Sequence, residues 1–247
     1  EKQMVLDEIK RKEKNLDKIR GSLIGGAVGD ALGYAIEFDK EEEIFSRYGK
    51  EGITEYDLVD GKALISDDTQ MTLFTGNGLL VGSTRIKMRG IGSEPRWYVK
   101  DAYKDWLLTQ DSTYEEVHAH ERYSKLGGRS WLLDVKELYD WRAPGNTCLS
   151  ALRNDEAVKD HFKEPVNNSK GCGGVMRVAP IALLYDTDVA KLDREAAYLA
   201  ALTHGHPLGY MPAAVVAHII NRIVYGPKKP LNEIVMEAKA TIQEVFE

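Results

Sequence analysis

Ser66-Asp67-Asp68-Thr69-Gln70-Met71-Thr72-Leu73 is the stretch on which the rest of the chain is organised. Two adjacent carboxylates stand between hydroxyls, and a periodic apolar segment follows at once. Serine or aspartate ahead of such a segment marks a helix N-terminus, because its side-chain oxygen accepts from an otherwise unpaired backbone N–H. The pattern predicts a helix from Asp67 to Leu80, with Met71, Phe74 and Gly78 on one face. Capping accounts well for one acid and less well for two. A second reading is a site for a hard divalent cation, for which Asp67 and Asp68 supply carboxylate oxygens and Ser66 and Thr69 hydroxyls. Neighbouring acids at a helix start point in different directions, so each can serve a different ion. Taken alone, the motif favours the cap.

Upstream, Leu16 to Phe38 has a helical pattern with glycines at Gly21, Gly25, Gly29 and Gly33, four apart. Each interior glycine costs roughly 0.5–1 kcal/mol against alanine. Four of them call for a packing reason, and a neighbouring helix at close approach is the expected one. Gly26, Asp30, Gly33 and Glu37 form a second, narrow stripe at 100° per residue. Two carboxylates thereby share a face with two residues that lack side chains. Glu37 falls towards the helix C-terminus, where the dipole disfavours it, and a compensating cation is implied. The alternative is a partly exposed polar face, and the residues leave the two readings even.

Downstream, Gly171-Cys172-Gly173-Gly174-Val175-Met176-Arg177 places three glycines before an apolar run, Val175 to Leu184, which Pro180 is expected to kink. Free backbone N–H groups at a helix start can cradle a phosphate. Arg177 adds charge there or pairs with an internal acid. No Lys-Ser/Thr follows, so this is not a P-loop. Thr203-His204-Gly205-His206 sits on a turn. A zinc pair there lacks a third nitrogen or sulfur ligand at suitable spacing.

The remaining segments read as helices and loops. A charged helix occupies residues 1–15, and loops with one short helix fill 39–65. A helix from Trp97 to Leu108 turns Val99, Tyr103, Trp106 and Leu107 inward. Ser112 or Thr113 closes a capping box with Glu115 or Glu116 on a helix running to about Leu126, which Gly127-Gly128 break. Trp131–Tyr139 is a short amphipathic piece, and Thr147 caps a helix through Leu152. Helices from Leu192 to Thr203, from the 205–207 turn to Tyr225, and from Leu231 to Phe246 complete the chain. No period-2 strand or βαβ pattern occurs, so the fold class is all-α.

The 247 residues are 43% hydrophobic, enough for one large core, and no linker divides them. Residues 1–15 form a charged segment and 16–247 a single domain. With 33 Lys+Arg against 39 Asp+Glu the net charge is −6, which does not suit binding along a nucleic-acid backbone. Cys148 and Cys172 build no disulfide framework and are expected to be buried or half-buried in a reducing cytosol. Without a signal-peptide core or a membrane span the chain is expected to be cytoplasmic, as a monomer or weak oligomer.

Together, Gly21-Ser-Leu-Ile-Gly-Gly-Ala-Val-Gly-Asp-Ala-Leu-Gly33 with Glu37, Ser66–Thr69, Asn168-Ser-Lys-Gly-Cys-Gly-Gly-Val-Met-Arg-Val-Ala-Pro180 and Thr203-His204 resemble, in order and spacing, the ADP-ribosylglycohydrolase family. That family includes dinitrogenase-reductase-activating glycohydrolases and ADP-ribosyl-acceptor hydrolases. The resemblance implies a compact all-α fold and a cleft with two Mg²⁺ ions, or Mn²⁺ in their place. It also implies cleavage of the glycosidic bond between ADP-ribose and a protein side chain or small molecule. Ser66, Asp67 and Asp68 match the first group of metal ligands. Glu37, with Asp68, matches the reacting end. Gly171, Cys172, Gly173, Gly174, Met176 and Arg177 match the segment around the diphosphate and distal ribose; His204 matches a ligand contact, and Asn146 adds to the same cleft. The family's second metal motif, Asp-x-Asp-Ser/Thr, is not found after Asp193. A C-terminally truncated chain is therefore expected, with a catalytically inactive ADP-ribose-binding or structural relative as the alternative.

Overall fold

In a computed structural model the described residues are 2–90, 92–119, 130–154, 160–184 and 188–246. Among them the secondary structure is helical, with one isolated bridge between Val59 and Lys62 and no named strand. The helices are α1 (Lys2–Tyr34), α2 (Glu41–Tyr48), α3 (Asp67–Arg89), α4 (Pro95–Asp111), α5 (Tyr114–Ala119), α6 (Asn146–Arg153), α7 (Ala179–Leu184), α8 (Val189–Ala201), α9 (Pro207–Tyr225) and α10 (Leu231–Phe246). Short 3₁₀ turns lie at Trp131–Asp134, Lys136–Tyr139 and Cys172–Gly174. Among the described residues no helix is long and apolar enough to cross a membrane.

The core lies where α3, α4, α8 and α9 pack. Met71 and Phe74 of α3 meet Val99, Tyr103 and Trp106 of α4, and α8 contributes an alanine-rich face through Ala196, Ala197, Ala200 and Ala201. Small residues let α8 and α9 approach closely. Gly78 serves the α3–α4 contact in the same way: a Cβ there would fall 2.7 Å from Tyr98 O and Val99 Cα. The predicted inward face of α4 is observed, and α3 runs on to Arg89, past the expected end at Leu80. Thr113 makes the capping box, its N–H and hydroxyl both donating to Glu116 and its oxygen accepting from Glu116 N–H. The expected end of that helix near Leu126 and its break at Gly127-Gly128 lie outside the described residues.

Residues 2–15 are helical, as expected, and run on without a break into the rest of α1. Several expectations change. The α1 glycines do not meet a neighbouring helix: Gly21, Gly25, Gly26, Gly29 and Gly33 have nothing within 4 Å of a Cβ position. That face is open, bordered by the exposed Leu23, Ile24 and Val28. Pro180 does not kink a helix; it is the second residue of α7, where a missing N–H costs nothing. α6 begins at Asn146 with Gly145 as its cap, two residues ahead of the expected cap Thr147. Cys148 is buried as expected, whereas Cys172 is exposed.

Candidate active site

The start of α3 is held from three directions. Ser66 is the N-cap: its Oγ accepts from Asp68 N–H at 3.1 Å. From α1, the Asp30 carboxylate accepts from Ser66 N–H and Thr69 N–H and from the Thr69 hydroxyl. From the turn before α6, Gly145 N–H donates to Asp67 Oδ2 at 2.9 Å, while Asp67 N–H donates to Arg142 O. Ala143 in that turn takes φ 53°, a left-handed value unusual for a residue with a Cβ. From the 171–178 loop, Met176 O accepts from the Thr72 hydroxyl at 3.1 Å. The cap reading is realised: Ser66 and Asp30 satisfy the helix start, and Asp68 is left lining a cleft.

That cleft has a volume of about 990 Å³ and lies between α1, α3 and the start of α7. Asp30, Glu37, Ser66, Asp68, Thr69 and Met176 line it, and no lysine, arginine or histidine is among its described lining residues. α1 ends at Tyr34, so Glu37 sits in the following turn rather than inside the helix. The stripe read from the sequence thus brings Asp30 and Glu37 to the same space as Asp68.

Burial and mutual repulsion shape the acids' protonation. Burial raises Asp67 to about 7, helped by Asp68, Glu37 and Asp30 and opposed by the Gly145 N–H. Burial raises Asp68 to about 6, with Asp30 and Glu37 adding to it and Ser66 opposing. Glu37 is also raised, by burial first and Asp30 second. A cation among these oxygens would reverse the repulsion. Among the described residues no group of three or more His, Cys, Asp and Glu side chains is arranged to hold a metal ion.

The glycine loop is built around His204. Its ring lies where side chains on Gly171 and Gly173 would otherwise go, at 3.2 Å from Nε2 and 2.6 Å from Cε1. Its Nδ1 pairs with Thr203 Oγ1 at 2.8 Å. Burial, with Arg177 nearby, lowers His204 to about 4, so the imidazole is neutral near pH 7. Gly174 packs on Ala200, with a Cβ position 2.5 Å from that methyl. Gly171 and Cys172 are exposed at the loop rim, Met176 is half-buried, and Asn146 is exposed beside Gly145.

Arg177 is placed differently from the expectation of a charged loop group. It is 1% exposed and stands over the Tyr103 ring at 4.5 Å. Nη2 donates to Thr203 Oγ1 at 2.6 Å and Leu199 O at 3.2 Å, and Nη1 to the sulfurs of Cys148 and Met71. Among the described residues it has no carboxylate partner. It fastens the loop to α8 from inside and offers no surface to the cleft. In the sequence Asp30 stands out only as part of a stripe and Thr72 and Gly145 carry no signal of a role; no local pattern marks contacts made at separations of 36, 104 and 78 residues.

The chain is similar in sequence to known proteins. The chain is 26% identical over 214 residues to the ADP-ribosyl-[dinitrogen reductase] glycohydrolase of Rhodospirillum rubrum, covering 85% of this chain and 59% of the relative. It is 26% identical over 235 residues to the ADP-ribosylhydrolase ARH3 of Danio rerio, covering 90% and 53%. It is also 26% identical over 218 residues to the uncharacterized protein YegU of Escherichia coli (strain K12), covering 85% and 55%. The chain thus spans a little over half the length of the curated relatives it matches. The sequence pattern of the ADP-ribosylglycohydrolase family matches residues 11–247, and the chain belongs to that family.

Proposed function

We propose that this chain carries the reacting end of a metal-dependent hydrolase that cleaves the glycosidic bond between ADP-ribose and an acceptor, either a protein side chain or a small molecule. The observation that carries the reading is the convergence of Glu37, Ser66 and Asp68 on one cleft, behind which Asp67 is fixed. Relatives whose names describe ADP-ribosyl hydrolysis support it.

The donor set is all oxygen: the free carboxylate oxygens of Asp67 and Asp68 with the Ser66 hydroxyl. This suits Mg²⁺ or Mn²⁺ and not a soft metal. Of this set, Ser66 and Asp68 line the cleft. Two bound ions would supply charge for the ribose hydroxyls and a more acidic water. The chain's own groups do the rest. Glu37, exposed at the cleft, accepts a proton from the attacking water as general base. The Asp68 carboxylate stabilises the positive character that develops at the anomeric carbon in an oxocarbenium-like transition state. Met176 and the Gly171–Gly174 backbone, braced by His204 and Arg177, bind the ADP-ribose diphosphate and distal ribose. The location proposed is cytoplasmic.

The test is release of ADP-ribose from an ADP-ribosylated protein in the presence of Mg²⁺. Glu37→Gln should lower the rate at least about 100-fold, the usual contribution of a general base. An unchanged rate would remove Glu37 from that role. Tight calorimetric binding of ADP-ribose without turnover would favour an ADP-ribose-binding relative that lacks catalysis.

A further inference from the structure

Asp30 belongs to α1, yet its carboxylate is consumed by one short stretch 36 residues or more away. Ser66 N–H reaches Oδ1 at 3.1 Å and Oδ2 at 3.0 Å. Thr69 N–H reaches Oδ2 at 3.2 Å, and the Thr69 hydroxyl donates to the same oxygen. The first N–H groups of a helix have no partner within it. Here Ser66 Oγ takes the Asp68 N–H, and Asp30 takes the Thr69 N–H and that of the cap residue itself.

The two residues that Asp30 grips bracket Asp67 and Asp68. On a first helical turn those acids leave the backbone about 100° apart. Asp67 is turned inward to Gly145 N–H, and Asp68 faces the cleft. A small rotation of this turn about the helix axis would swing both acids together. A clamp on either side of the pair, tied to α1, resists that rotation together with the bonds that Asp67 makes to Gly145 and Arg142. Oδ2 accepts from three donors and Oδ1 shares one of them, so the hydrogen bonds of Asp30 all go to the Ser66–Thr69 junction.

We propose that Asp30 is a positioning residue, not a ligand: it locks the Ser66–Thr69 junction to α1 and thereby sets the directions of Asp67 and Asp68. The inference rests on the proposed role of those two acids. Thr69 is its working partner, through both its N–H and its hydroxyl.

The test compares Asp30→Asn, Thr69→Val and the double variant in the whole chain, with Mn²⁺ alone as probe, read by electron paramagnetic resonance, and with amide hydrogen exchange. Asp30→Asn should weaken Mn²⁺ binding about tenfold, Thr69→Val several-fold, and the double variant no more than Asp30→Asn, since both act through one bond. Thr69→Ser should restore wild-type binding. Exchange at Ser66 and Thr69 should rise about tenfold in Asp30→Asn while Phe74 to Leu79 keep wild-type protection. Loss of binding in Asp30→Asn with Thr69→Val unaffected would make Asp30 a ligand and overturn the proposal. Additive losses, or unchanged exchange at Ser66 and Thr69, would overturn it as well. A wild-type chain that binds no Mn²⁺ would count against the proposed function, and the exchange measurement would still decide the role of Asp30.

Discussion

The ring of His204 occupies the space that a side chain at Gly173 would need: a methyl group there would stand 2.6 Å from His204 Cε1 and 3.0 Å from Cys148 Sγ. The ring cannot give way easily, because Thr203 holds it and Arg177 in turn holds Thr203. Gly173→Ala is expected to destabilise the fold by about 1–3 kcal/mol through overpacking. Urea denaturation would measure it, and calorimetry should show weaker ADP-ribose binding by the same variant.

Arg177→Lys tests whether the buried guanidinium is a fastening. Lysine cannot span Thr203 Oγ1, Leu199 O and the Tyr103 face together. Leaving buried acceptors unmet should cost about 1–3 kcal/mol. The urea midpoint should fall even with no ligand present. A variant as stable as wild type that had lost only ADP-ribose affinity would instead put Arg177 at the ligand.

The α1 and α3 glycines should respond oppositely. Gly25 faces open space, so Gly25→Ala should stabilise the chain by roughly 0.5–1 kcal/mol through helix propensity. Gly78→Ala would drive a methyl into the α4 backbone and should destabilise it by about 1–3 kcal/mol. Thermal melts of the pair would check both signs. A destabilising Gly25→Ala would mean that the glycine face is covered in solution.

Asp67, raised from 3.8 to about 7, makes a pH signature in metal-free buffer. A raised carboxyl favours the protonated folded state, so this stability is complete below about pH 4 and is lost as pH rises through about 7. The stability difference between wild type and Asp67→Asn should therefore fall as pH is raised from 4 to 8 in the presence of a chelator. Added Mg²⁺ should restore wild type more at pH 8 than at pH 5, because the ion competes with the proton. A flat difference across that range would show that Asp67 is not desolvated in this way.

Local chemistry was legible in the sequence. Helical periodicity and the lack of strand patterns gave the all-α class, and Ser66 before two acids gave the start of α3. The 100° stripe through Asp30 and Glu37 follows from helix geometry, which holds wherever the helix packs. The same local rules could not assign partners. Arg177 beside a glycine loop has the look of an anion contact, and only the packing of α8 against the loop turns it into the core. The α1 glycines suggested a neighbouring helix, since their spacing shows that close approach is possible without showing that it occurs. Asp30 is the clearest division between the two levels: periodicity placed it on the face of Glu37, but the bonds to Ser66 and Thr69 depend on how α1 is set against α3. That is fixed by long-range burial of side chains, which no short stretch of sequence encodes.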